Sequence, residues 1–350
     1  MIETPAPFVS RSRITAIGGY VPERTLTNFD LEKMVDTSDE WIVRRTGIRE
    51  RRIAAENQLT SDLCVAAIRN LAERHQADLS DVDLLLVATI TPDHATPSTA
   101  CQVQAKLSLP VRMAAFDLNA ACGGFVYALH VANGLITAGL HRKALVVGAE
   151  KLSSITNDED RTTCVLFGDG AGAVLLEACE PEQASFAGPT LLETEGKRGA
   201  SLYCTNHPEA FADSGRAETE DGSRKSGFIV QNGREVYKWA ATRVPAGIAR
   251  LLEQHRLTAG DIDWFVPHSA NARMIESIAE SAGLPLDRTL TSLEKFGNTS
   301  AASIPLALWQ AEEAGRLRDG DRLLLYGFGG GLVQAAMIVR CGFARSHPSP

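Results

Sequence analysis

Short apolar runs alternate along this chain with longer stretches in which apolar residues recur every three to four positions, the mark of a β/α order. The runs predict strands at 14–16, 84–88, 114–118, 144–147, 172–176, 264–266, 323–326 and 334–339. Helical periodicity lies between several of them, near 60–75, 98–107, 123–138, 234–255, 270–282 and 299–314. From about 178 to 232 the pattern breaks at Pro181, Gly188, Pro189, Gly196, Gly199, Pro208, Gly215, Gly222 and Gly227, and the run Glu218-Thr219-Glu220-Asp221 adds acidic charge. That stretch predicts a connection with long surface loops, including an insertion near 205–227.

The second half repeats the plan of the first. Asp81-Val82-Asp83 leads into an apolar run, and so does Asp261-Ile262-Asp263. Each half then reaches a second strand-to-helix junction: Cys122 stands 17 residues before Gly139, and Asn298 stands 17 before Gly315. A basic turn and another apolar strand follow each glycine. The expectation is an α/β fold of two similar halves, 1–180 carrying the cysteine and 181–350 carrying the histidine and asparagine, with Cys122 and Asn298 at related helix starts.

Composition narrows the class. With 350 residues, 44% hydrophobic and 22% charged, the chain is long enough for a substantial core and too apolar for disorder. No apolar run approaches the roughly 18 residues of a membrane span, and 1–13 lacks a signal-type apolar segment, so a cytoplasmic location is expected. Seven scattered cysteines without a CxxC pair argue against a disulfide framework and a zinc site. The net charge of −8 argues against general nucleic-acid binding.

Candidate chemistry centres on Cys122, in Ala120-Ala121-Cys122-Gly123-Gly124. A thiol at the first turn of a helix faces unpaired amides and the positive end of the dipole, which favour the thiolate. Small neighbours would give a bulky thioester access. The competing reading is a buried packing cysteine. His268 follows a predicted buried strand and the stiffening Pro267, at the carboxyl end where open α/β sheets place ligand sites; capping or packing is its plain alternative. Asn298 alone reads as a helix N-cap. Their conjunction with Cys122 is what points to a site.

Six motifs carry a resemblance over nearly the whole chain. They are Asp36-Thr37-Ser38-Asp39-Glu40-Trp41-Ile42 with Arg45-Thr46-Gly47-Ile48, then Ala120-Ala121-Cys122-Gly123-Gly124-Phe125, Phe167-Gly168-Asp169-Gly170-Ala171-Gly172, Val266-Pro267-His268-Ser269-Ala270-Asn271, Gly297-Asn298-Thr299-Ser300-Ala301-Ala302 and Phe328-Gly329-Gly330-Gly331. In this order the sequence resembles the β-ketoacyl-acyl carrier protein synthase III family, condensing enzymes of the thiolase superfamily that start fatty-acid synthesis. The resemblance implies a thiolase-like fold, duplicated βα halves in five αβαβα layers, assembled as a homodimer. It implies that Cys122 takes an acyl group from acyl-CoA, that malonyl-acyl carrier protein loses CO2, and that the resulting carbanion attacks the acyl-enzyme. His268 and Asn298 would donate to the enolate oxygen, and the amides of Cys122 and Gly330 would form the oxyanion hole. No metal or redox cofactor is implied.

Binding roles follow from the same resemblance. Trp41 and Arg161 would sandwich the adenine of CoA, Arg45 and Arg273 would meet phosphates, and Asn271 would orient the network. Arg44, Arg45, Arg49, Arg51, Arg52, Lys238 and Arg273 would dock the acidic carrier protein. Phe167, Leu202, Phe328 and Thr96 would line the acyl pocket; Thr96 stands where acetyl-selective members carry a phenylalanine that reaches across the dimer, which implies tolerance of longer primers. The glycine motif lacks a thiolase's second cysteine, and Asn298 replaces the second histidine of elongating synthases. Pathway-specific relatives in secondary metabolism or biotin-precursor synthesis share Cys-His-Asn. Outside the superfamily, a cysteine thioester hydrolase and an inactive partner subunit are the other readings.

Overall fold

The computed structural model describes residues 9–205 and 227–343; most of the insertion expected near 205–227 lies outside the described residues. The first half supplies β1 (Ser12–Tyr20), β2 (Thr25–Thr27), α1 (Asn28–Leu31), α2 (Asp39–Thr46), β3 (Glu50–Arg52), α3 (Thr60–His75), β4 (Leu84–Ala88), α4 (Thr99–Leu107), β5 (Ala114–Leu118), α5 (Gly124–Thr137), β6 (Lys143–Glu150) and β7 (Gly170–Ala178). The second supplies β8 (Leu191–Thr194), β9 (Leu202–Cys204), β10 (Ile229–Gln231), α6 (Gly233–His255), β11 (Trp264–Pro267), α7 (Ala272–Ala282), α8 (Leu293–Phe296), α9 (Ser303–Glu313), β12 (Arg322–Gly329) and β13 (Val333–Arg340).

Two mixed sheets result, one ordered β1-β7-β6-β4-β5 and the other β8-β13-β12-β11. In both, the first three strands pair antiparallel and the next pair, β6 with β4 or β12 with β11, is parallel. The counterpart of β5 shrinks to one bridge between Phe265 and Thr289. Both faces of each sheet are covered, which is why β4 and β6 read as continuous apolar runs instead of alternating ones. Leu84 and Leu86 point to a core shared with α5 and α9, whereas Leu85 and Val87 point to α3. The second sheet joins that shared core through Val266, Leu323, Leu325 and Met337, and its other face packs on α6 and α7. The layers therefore run α3/α4, sheet, α5/α9, sheet, α6/α7.

The stretch read as loops holds three strands. β8 closes the edge of the second sheet, and β9 pairs with β10 as a separate ribbon. They are short and lie among glycines and prolines, so their pattern is too brief to register as a run. The junctions also differ from expectation. A left-handed residue, Ala121 (φ 46°) or Ser300 (φ 48°), opens a single 3-10 turn, Ala121–Gly123 or Ser300–Ala302, before α5 or α9 begins. Matched this way, the counterpart of Cys122 is Ala301. The 17-residue spacing aligns the helix ends at Gly139 and Gly315, because α5 has 14 residues and α9 has 11. Asn298 sits about one turn ahead of the equivalent place.

Candidate active site

Cys122, His268 and Asn298 all line one cavity of about 770 Å³ at the carboxyl ends of the strands. Cys122 lies in the turn between β5 and α5, His268 directly follows β11, and Asn298 precedes the turn before α9. All three are buried. Among the described residues His268 is the only ordinarily titratable base in the lining, which otherwise consists of apolar side chains, two thiols, a few amides and hydroxyls, and the backbone of the last glycine motif.

The thiolate expected from the helix dipole is not the resting form. Burial pushes the Cys122 thiol up to about 11, and the charge of Glu150 adds to that, while the Ser300 hydroxyl and the amides of Gly330 and Cys122 itself pull it back. Those two amides thus face the sulfur. β12 comes very close here: a Cβ at Gly329 would lie 2.8 Å from Cys122 Sγ, so only glycine leaves the nucleophile its place.

His268 is held neutral, its pKa pushed down to about 3 by burial, with the Ser300 carbonyl opposing. Its backbone N–H donates to Tyr326 O at 2.8 Å, and its ring meets the Phe328 edge at 5.5 Å between centroids. Nδ1 lies 2.8 Å from Ser303 Oγ, which accepts from the Ser269 amide at 3.3 Å. Where that hydroxyl donates to Nδ1, Nε2 is the protonated ring nitrogen. Asn298 is fixed by its backbone to Leu166 and Gly168, and its Oδ1 accepts from the Ser300 amide at 2.9 Å. With the oxygen engaged, its NH2 is the group left to donate.

Phe167, Leu202 and Phe328 line the cavity as expected, and Asn271 lines it too. Asn271 caps α7 by accepting from Met274 N, and its amide donates to Arg45 O at 3.0 Å. The Arg161 guanidinium stacks 4.6 Å from the Trp41 ring centroid, next in sequence to Thr162 in the cavity wall. Arg45, Arg273 and Lys238 are exposed outside that wall, although Tyr237, beside Lys238, belongs to it.

One assignment changes, that of Arg51. Thr96 is exposed on the turn before α4 and does not line the cavity of its own chain, which leaves the expected reach across a dimer untouched. Arg51 cannot dock a partner: it is fully buried, donating to Asn28 Oδ1 and Val165 O at 2.7 Å each, with its pKa drawn down to about 10 by burial. Arg52 is half-buried against Glu50 at 3.3 Å. Sequence reasoning did not single out Ser300, Ser303 or Glu150. The two serines sit in or beside a quoted motif, whereas Glu150 at the end of β6 carries no local signal.

Sequence profiles of the family described as 3-oxoacyl-[acyl-carrier-protein] synthase III match residues 116–196, and those of its C-terminal part match 252–341. The "Beta-ketoacyl-[acyl-carrier-protein] synthase III 2" of Halalkalibacterium halodurans is 56% identical over 95% of this chain and 97% of its own. The protein of that name from Bacillus subtilis is 53% identical over 95% of this chain and 100% of its own. Among solved structures, the β-ketoacyl-[acyl carrier protein] synthase III of Thermus thermophilus superposes with a TM-score of 0.86 at 45% identity, over 95% of this chain and 100% of that one. On this likeness the chain belongs to the 3-oxoacyl-[acyl-carrier-protein] synthase III family.

Proposed function

We propose that this condensing enzyme works by transferring an acyl group from acyl-CoA to Cys122 and then joining it to the carbanion left when malonyl-acyl carrier protein loses CO2. The observation that carries the reading is the convergence of Cys122, His268 and Asn298 on one cavity whose described lining carries almost no charge. In such a site, donors aimed at developing negative charge act with little competition from water. The amides facing the Cys122 sulfur would hold the tetrahedral oxyanion of acyl transfer. Nε2 of His268 and the NH2 of Asn298 would hold the enolate oxygen, both uncharged and both with their other polar atom already engaged. Decarboxylation itself supplies the carbanion, so the chemistry calls for no metal or redox cofactor.

Substrate binding rests on the cavity and its rim. The Trp41–Arg161 pair offers a flat aromatic face and a planar cation to an adenine. Arg44, Arg45, Arg49, Arg273 and Lys238 present basic groups for the phosphates and the acidic carrier protein. A cavity of about 770 Å³ walled by Phe167, Leu202 and Phe328 suits primers longer than acetyl. Assembly as a homodimer is supported by the free edge of β5, where Phe116 is 39% exposed; Thr96 would then face the partner. The thioester substrates support a cytoplasmic location.

The hydrolase reading loses ground on one point. A cysteine hydrolase needs its asparagine to orient the histidine; here Ser303 holds His268 and Asn298 bonds to Ser300. Mass spectrometry of the intact protein with a panel of acyl-CoA primers, followed by malonyl-acyl carrier protein, tests the proposal. An acyl adduct on Cys122 that malonyl-acyl carrier protein converts to a β-ketoacyl product is expected. Free acid without condensation product would overturn it.

A further inference from the structure

An asparagine stands at the same place in both halves. Laid over one another by their left-handed residues, the turn before α5 runs Asn119-Ala120-Ala121-Cys122 and the turn before α9 runs Asn298-Thr299-Ser300-Ala301. In each, the asparagine Oδ1 accepts from the amide two residues on, Ala121 N at 3.2 Å in the first and Ser300 N at 2.9 Å in the second. The residue held in this way is the left-handed one, with φ 46° or 48°. A backbone bond of 3.0 Å then closes each 3-10 turn, from Gly123 N to Ala120 O or from Ala302 N to Thr299 O. Asn119 is therefore the counterpart of Asn298, and both line the cavity.

The two turns differ in what else holds them. Asn298 is buried, and its backbone is bonded to Leu166 and Gly168. Asn119 is exposed just past the end of β5, and its hold on the turn runs through the side-chain bond to Ala121. A left-handed backbone sets Cβ against the carbonyl oxygen that follows, which is unfavourable for alanine and without cost for glycine. On the other side of the turn β12 presses in: a Cβ at Gly327 would lie 2.8 Å from Gly123 Cα and 3.1 Å from Cys122 O. That strand limits how far the turn can move without choosing its hand. The bond from Asn119 acts on the left-handed residue itself, as asparagine does when it bonds its own backbone two residues on.

We propose that Asn119 is a positioning residue for the nucleophile: by holding the Ala121 amide, its Oδ1 keeps the turn in the left-handed form that sets the Cys122 thiol against Gly329. This rests on the reading of Cys122 as the acyl-transfer nucleophile. Asn119 makes and breaks no bond of the substrate. Its effect is geometric, because attack on a thioester carbonyl depends steeply on where Sγ lies, about 100-fold for a misplacement of 1 Å. One structural device thus serves two tasks, holding the nucleophile's turn in the first half and leaving the Asn298 NH2 to the second substrate in the other.

The coupling between Asn119 and Ala121 tests this. Single-turnover acylation of Cys122 by a primer acyl-CoA is followed by mass spectrometry in the parent, Asn119→Ala, Ala121→Gly and the double variant. Asn119→Ala should lower the saturating rate about 3- to 10-fold, the worth of one hydrogen bond, with the half-saturating primer concentration nearly unchanged. Glycine carries no left-handed penalty, so in the Ala121→Gly background loss of Asn119 should cost less than about 2-fold. An NH2 that served the substrate directly would be missed equally in both backgrounds, and equal losses overturn the positioning role alone. A parent-like rate in Asn119→Ala overturns it as well. Failure of every primer to acylate the parent removes the acyl-transfer reading and this role together.

Discussion

Nδ1 of His268 rests 2.8 Å from Ser303 Oγ, and that contact engages one of the two ring nitrogens. Without the hydroxyl, the imidazole is free to turn or to switch tautomer, and Nε2 ceases to be a fixed donor. Ser303→Ala should lower kcat for condensation about 10-fold or more while the rate of Cys122 acylation changes little. Equal losses in both half-reactions, resolved by rapid-quench mass spectrometry, would count against this.

The donor roles proposed for His268 and Asn298 should be separable from acylation of Cys122. His268→Ala and Asn298→Ala should each slow malonyl decarboxylation by about 10²–10³-fold, the usual effect of deleting one oxyanion donor. The acyl adduct on Cys122 should still form in both. CO2 release measured beside adduct mass checks the split.

Gly329 gives the nucleophile room. Gly329→Ala sets a methyl 2.8 Å from Sγ, so either β12 or the Cys122 turn must shift. Overpacking of this kind costs about 1–3 kcal/mol, and acylation should fall by more than 100-fold in protein that still unfolds cooperatively. Retained acylation at near-parent rate would show that the close approach is dispensable.

The Trp41–Arg161 stack, as the proposed adenine site, should act on binding of acyl-CoA and not on the chemistry. Arg161→Ala should raise KM for acyl-CoA about 3- to 10-fold, with kcat and the response to the carrier-protein substrate nearly unchanged. A fall in kcat with unchanged KM would place Arg161 elsewhere in the reaction.

Stability should carry the signature of two buried groups of opposite sign. Glu150 has a folded pKa of about 7 against an ordinary 4.5, so from pH 4.5 to 7 the native state keeps a proton the unfolded chain has released, and stability falls as pH rises through that window. His268 is held at about 3 against 6.5, so its contribution is lost as pH falls from 6.5 toward 3. In urea unfolding, Glu150→Gln should gain on the parent by about 3 kcal/mol between pH 4.5 and 7.5, at 1.36 kcal/mol per pKa unit. A pH-independent difference would contradict the assignment.

The helices and strands with long, clean periods were legible in the sequence: 60–75 is the extent of α3, and 84–88 and 114–118 are those of β4 and β5. Cys122, His268 and Asn298 were legible as chemistry because each stands at a strand or helix end beside small or stiffening residues. What escaped depends on contacts between distant segments. Arg51 sits in a run of arginines that reads as a basic surface, yet Asn28 and Val165 come from elsewhere to enclose it. Glu150 looks like any polar residue closing a strand until Thr89, Ile90 and Thr91 converge on it. The charge state of Cys122 also needed the fold, since the dipole is local and the desolvation that outweighs it is not.

The layer formed by α5 and α9 bears on how the molecule comes to exist. Phe125 and Leu129 of one half share a core with Ile304 and Leu308 of the other, and each helix has a sheet on both sides. Cut at the boundary between the halves, either piece would present to water an apolar face as large as a protein interior. The repeat is therefore visible in strand order without being a folding unit. Newly synthesised chain has to wait for its C-terminal half before the nucleophile's own helix is covered, and two separately expressed halves should be recovered soluble only when made together.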